Sequence, residues 1–121
     1  MISHIVLFEP KPNLADSDVR DFAQHLKSAM TAVPSVRRAR VGRRVEIHSG
    51  NDRNFGDATY TFSAVVEFDD SKGLIEYLQH PKHAELGRLF WLHCARTVVL
   101  EVESVDATTD EVVELLVRRQ N

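Results

Sequence analysis

The stretch Ala58-Thr59-Tyr60-Thr61-Phe62-Ser63-Ala64-Val65-Val66-Glu67-Phe68 alternates between large apolar and small or polar residues. Tyr60, Phe62, Ala64, Val66 and Phe68 fall on one side and Thr59, Thr61 and Ser63 on the other, the pattern of a strand with one buried face. Downstream, Asp69-Asp70-Ser71 supplies caps for a short helix through Leu78. Pro81 breaks that helix, and a second helical piece carries Leu86, Leu89, Phe90 and His93 on one stripe. Valine-rich Thr97 to Glu103 is the last strand. Upstream, Ser3 to Phe8 reads as a short buried strand stopped by Pro10-Lys11-Pro12-Asn13. From Asp16 the period becomes helical, with Val19, Phe22, Ala23, Leu26, Ala29, Met30 and Val33 on one stripe before Pro34, and Asp16 or Ser17 as the cap. Ser35 to Ile47 predicts an irregular second strand with Gly42 as a bulge. Ser49 to Asp57, dense in turn formers, predicts a mobile loop.

The order is strand, helix, strand, strand, helix, strand. That is the split βαβ arrangement of an α+β, ferredoxin-like βαββαβ domain, here over residues 1–104. Residues 105–121 form an extension in which Thr108-Thr109-Asp110-Glu111 matches a capping box, with Thr108 as cap. Val112, Val113 and Leu116 follow, and Arg118 and Arg119 suit the negative helix end. So short a helix is marginal in water, so its apolar stripe needs a covering surface.

Composition narrows the function. A chain of 121 residues with 43% hydrophobic content fits one core. A net charge of -3 leaves no basic footprint for nucleic acid. No apolar run is long enough to span a bilayer, and one cysteine, Cys94, with no signal-like start predicts a cytoplasmic protein.

Chemistry gathers at Tyr77-Leu78-Gln79-His80-Pro81-Lys82-His83, which sets a phenol and two imidazoles around a helix break, with His4 opening the first strand. Such groups move protons near neutral pH. Two readings of Tyr77 and His83 stand side by side: a base with an orienting phenol, or polar groups satisfying backbone atoms freed at the break. His80 reads as a cap or turn residue. His4 reads either as a pocket group or as a core histidine bonded to a loop carbonyl. The histidine spacing fits no metal motif. Cys94, Phe90 and Trp91 read as core, the aromatic pair alternatively as interface. Arg37, Arg38, Arg40, Arg43 and Arg44 form either an anion site or the solvated edge of a strand.

The string His4-Ile5-Val6-Leu7-Phe8, the strand Tyr60 to Phe68, the motif Tyr77-x-x-His80-Pro81-x-His83 and the pair Phe90-Trp91 together resemble the stress-responsive dimeric α/β-barrel family, over about residues 2–104. The resemblance implies a ferredoxin-like protomer whose sheet packs on that of a second copy as a homodimer. It also implies a distant similarity to plant olivetolic acid cyclase, which closes a polyketide without a cofactor. On that basis Tyr77 and His83 match its catalytic pair and His4 a strand-one histidine. Phe62 and Leu26 replace polar positions of its pocket. A small hydrophobic or polyketide-like ligand would then lie among His4, Val6, Phe8, Phe22, Leu26, Phe62 and Val66, with no metal and no cofactor. Three functions follow: a cofactor-free cyclase or lyase, a non-catalytic stress-responsive ligand-binding dimer, or, by fold analogy alone, a small monooxygenase.

Overall fold

Alternation in the strands sets which side of the sheet the helices cover. In the computed structural model, which describes residues 1–47 and 58–118, the elements are β1 (Ile2–Pro10), α1 (Asp16–Ala32), β2 (Arg38–Arg43), β3 (Phe62–Phe68), α2 (Ser71–Gln79), α3 (Pro81–His93), β4 (Cys94–Glu103) and α4 (Glu111–Val117). The predicted loop Ser49 to Asp57 and Arg119 lie outside the described residues. The four strands form one antiparallel sheet in the order β2-β3-β1-β4, the ferredoxin-like topology.

Register carries the pattern across the sheet. His4 lies opposite Val66 on one side and Glu101 on the other; Val6 lies opposite Ala64 and Val99. The helix-facing side therefore holds His4, Val6, Phe8, Ala64, Val66 and Phe68, all buried. Two clusters form there. Val33, Val66, Phe68, Leu74 and Tyr77 make one, and Val6, Phe8 and Ala64 with Phe22, Phe62 and Phe90 make the other. The opposite side carries Ile5, Leu7, Val65, Val98 and Leu100, and among the described residues no helix covers it. Val98 and Leu100 are 39% and 40% exposed.

Several boundaries depart from the sequence expectation, each for a local reason. The third strand starts at Phe62, because Tyr60 adopts φ 42° and leaves the extended region. Glu9 accepts the N–H groups of Thr59 (2.7 Å) and Tyr60 (3.3 Å), replacing a ladder partner just before the strand begins. The second strand is only Arg38–Arg43, with Val45 and Ile47 exposed beyond it. Gly42 is no bulge; it pairs regularly with Ser63, and the register shifts instead between Glu9 and Pro10, where proline has no N–H to give. The first strand is nine residues long. Helix α1 is capped at Ala15 without a side-chain bond, and Asp16 and Asp18 in its first turn suit the positive end of the helix dipole. The capping box also moves. Asp106 takes the Thr108 N–H and hydroxyl into a turn, so α4 starts only at Glu111. Val113, Leu116 and Val117 of α4 are exposed in the single chain, while Arg118 bonds Glu103 at 2.7 Å.

Candidate functional site

The break between α2 and α3 is built as the sequence implies. Asp70 caps α2 by accepting the Gly73 N–H. His80 caps α3 through Nδ1, which accepts the Lys82 N–H at 3.0 Å, with Pro81 in the first turn where its missing donor costs nothing. His80 is thus spent on the backbone, and Tyr77 and His83 are left to face inward.

Three rings meet there. The Tyr77 and His83 centroids are 4.8 Å apart, His4 and Tyr77 5.7 Å, and His4 and His83 6.3 Å, all edge-on. They close one end of a cavity of about 730 Å³ between the sheet, α1 and α3, which Val6, Leu26, Met30, Val66, Leu86 and Phe90 also line. Phe68, wholly buried, backs Tyr77 at 5.3 Å between centroids.

His4 is 5% exposed and its Nδ1 lies 2.9 Å from Glu101 Oε1. The expected loop carbonyl is replaced by a carboxylate on the neighbouring strand, directly opposite in the ladder. A carboxylate in that place fixes which ring nitrogen carries the proton and turns the other toward the cavity. Glu101 escapes sequence reasoning, because one of two acids in a valine-rich strand gains meaning only once the β1–β4 register is known.

The environments drive the groups apart. Burial pushes the Tyr77 phenol up to about 12 and keeps it protonated. His83 goes the other way: burial, then the neighbouring His4, lower its pKa below 6.5, against a smaller upward push from the Leu78 carbonyl. The Tyr77 hydroxyl has no hydrogen-bond partner among the described residues, yet no side-chain polar atom there is both sealed from solvent and unpaired, so the hydroxyl opens onto the cavity. It does not serve the helix break. Titration of the tyrosine absorbance is therefore expected to show one of the two phenols ionising near pH 12, a phase missing in Tyr77→Phe. The sign for stability follows. A phenol raised from 10.0 to about 12 stabilises the fold fully below pH 10.0 and loses that contribution as pH climbs toward 12. A Tyr77 phenol ionising near its ordinary 10.0 in the folded protein would contradict this burial.

Other expected positions fall elsewhere. Phe8, Phe22 and Phe62 do not line the cavity; they pack with Phe90 as an aromatic core, with centroids 4.9–5.9 Å apart. Trp91 is not core: it is 88% exposed at the cavity edge. Cys94 opens β4, half-buried against that aromatic core and beside the cavity, and burial raises its thiol. The arginines sit on or beside edge strand β2, where Arg37 pairs with Asp69 at 2.7 Å and Arg43 lies over Phe62; none of the five lines the cavity. Among the described residues no His, Cys, Asp or Glu cluster is placed to hold a metal ion, and no helix is long and apolar enough to cross a membrane.

Residues 2–104 match the family model described as Stress responsive A/B Barrel Domain. No curated protein sequence matches the chain. Solved structures align over most of it. A protein of Arabidopsis thaliana is 16% identical with a TM-score of 0.72, over 88% of this chain and 98% of that one. A dimeric ferredoxin-like protein of unknown function from Thermobifida fusca is 22% identical, TM-score 0.65, over 84% and 88%. The hydroxynitrile lyase of Passiflora edulis is 19% identical, TM-score 0.70, over 84% and 90%. At such identities the likeness is one of fold.

Proposed function

Because the chain belongs to the stress responsive A/B barrel domain family, we propose that it binds a small apolar carbonyl compound in its cavity and moves a proton on it, without a cofactor. His83 acts as the base, Tyr77 as the acid that holds the carbonyl oxygen, and His4, oriented by Glu101, as a second contact. The observation that supports this reading most is the meeting of three ionisable rings at the end of an otherwise apolar cavity. A neutral imidazole beside a protonated phenol is the pairing that acid–base chemistry at pH 7 requires, and opposite environmental shifts supply it. Two reaction classes use these parts. In a polyketide-cyclase-like aldol closure, as the resemblance to olivetolic acid cyclase implies, His83 removes an α-proton while Tyr77 steadies the oxygen. In a lyase-like cleavage of a cyanohydrin, the chemistry named for the Passiflora edulis structure, His83 takes the hydroxyl proton as the bond to cyanide breaks.

The decisive experiment follows exchange of the α-protons of apolar β-keto esters with deuterated water, which needs no knowledge of the product. A lowered imidazole pKa leaves the base form dominant at pH 6.5 and above, so the rate is expected to hold level there and to fall only below that point. No exchange above the buffer rate across such a panel, and no cleavage of cyanohydrins, would overturn the catalytic reading. The cavity would then serve a non-catalytic ligand-binding role, which its largely apolar lining favours and which predicts a higher Tm with hydrophobic ligands.

The same reading has the protein work as a homodimer. Ile5, Leu7, Val65, Val98 and Leu100 form a contiguous apolar sheet face that a second copy would cover, and the Thermobifida fusca structure is described as dimeric. Sedimentation is expected to give the mass of two chains, and Val98→Lys with Leu100→Lys to give the mass of one. A single-chain mass for the parent protein would remove the dimer.

A further inference from the structure

We infer that the cavity is a trough for an extended amphipathic chain, its carbonyl end at the three rings and an anionic end beside Lys11, with Gly87 as the residue that keeps the trough open. This deepens the proposed function by naming a substrate class. It rests on that reading only for which end reacts.

Register gives the trough its length. His4 and Glu101 lie opposite each other at one end, Val6 and Val99 come next, and Pro10 and Cys94 pair at the other. From His4 to Pro10 the strand covers about 20 Å at ~3.3 Å per residue. A volume of about 730 Å³ drawn out over that length gives room for one extended chain and small groups along it. The opposite wall is α3, whose His83, Leu86, Gly87, Phe90 and Trp91 face the same space at helical spacing.

Charge gives the trough its direction. Glu101 sits at the ring end, where it repels an anion. Lys11 lines the far end, tethered by its backbone N–H to the His93 carbonyl at 2.8 Å. Arg96, opposite Glu9 in the ladder, lines the same end as a second cation. Among the described residues Lys11 has no ion-pair partner. A carboxylate or phosphate at the tail of the ligand meets a cation there and an acid at the other end, so only one orientation is favourable.

Gly87 gives the trough its width. It lies in the interior of a thirteen-residue helix, where glycine is disfavoured. Packing does not call for it, because a Cβ built there meets nothing within 4 Å, and its φ is not in the left-handed region. What it borders is the cavity. The missing side chain is explained by the space that it leaves.

Trp91, the only tryptophan, lines the same space and reports on it. Dodecanoate and dodecanol, titrated separately at pH 8 against its fluorescence in the 121-residue protein, are the probes. Dodecanoate is expected to bind about threefold more tightly than dodecanol, the scale of one solvent-exposed ion pair. Lys11→Glu is expected to remove or reverse that preference with dodecanol binding unchanged, and Gly87→Leu to weaken both ligands about tenfold while the protein stays folded by circular dichroism. Equal binding of the two probes by the parent protein, a preference that survives in Lys11→Glu, full affinity in Gly87→Leu, or no binding of either probe each overturns the proposal. Binding is read without turnover, so a protein that passes these tests and exchanges no α-proton keeps the trough and loses only the catalytic reading.

Discussion

In a His83→Gln protein the rate of α-proton exchange is expected to fall by about a hundred- to ten-thousand-fold at pH 7, the range that a positioned general base contributes. Glutamine approximates the imidazole in size and polarity, so the cavity keeps its shape, but it has no nitrogen that takes up a proton in this pH range. The residue sits in the first turn of α3, only partly buried, and the helix start is capped by His80 rather than by His83. Stability is therefore expected to stay within about 0.5 kcal/mol of the parent. That separation of rate from stability is the point of the variant. Its pH profile carries the second half of the prediction: the acid-side fall below pH 6.5 expected of the parent disappears with the imidazole. A His83→Gln protein exchanging at the parental rate would move the base to His4, the other ring at the cavity end, which Glu101 orients.

Phe68→Ala is expected to destabilise the fold by about 3–5 kcal/mol, the usual effect of removing a fully buried phenyl ring. Phe68 is 0% exposed and is the largest of the wholly buried side chains, set among Val33, Val66, Leu74 and Tyr77. Against a typical domain stability of about 5–15 kcal/mol, that loss is a large fraction of the whole. In urea the midpoint moves down by about 2 M if the slope is near 2 kcal/mol per molar. Function suffers in parallel. The phenyl ring is the backing of Tyr77, so without it the phenol is no longer held 4.8 Å from His83. Tyr77→Phe is the useful contrast: it keeps the packing and deletes only the hydroxyl facing the cavity. Comparing the two separates what holds the ring from what the ring does. A Phe68→Ala protein with an unchanged urea midpoint would show that this cluster is not the centre of the core.

Much of this was legible in the chain. Period-two alternation marked β3, a helical stripe marked α1, and Pro81 divided α2 from α3, because each pattern is enforced by neighbours close in sequence. The cap at His80 was legible for the same reason. Where the reading failed, a distant group had overridden a local signal. Glu9 reaches the Thr59 and Tyr60 amides and shortens the third strand; Asp106 draws Thr108 out of its capping box. The aromatics show the other kind of failure. Phe8, Phe22 and Phe62 have the right faces for a pocket, yet four rings counting Phe90 fill their space against one another, and the void opens instead beside Gly87 and Val99.

By itself, then, the sequence determined the order of elements, the buried face of each and the presence of a phenol and an imidazole at a helix break, since periodicity and proline act over a few residues. Only the tertiary structure decided that His4 meets Glu101 and that the His4 ring faces Tyr77 and His83, because a contact across 97 positions exists only after strand register is set. That register comes from burying one whole face of the sheet at once, a condition that no short stretch of chain can express.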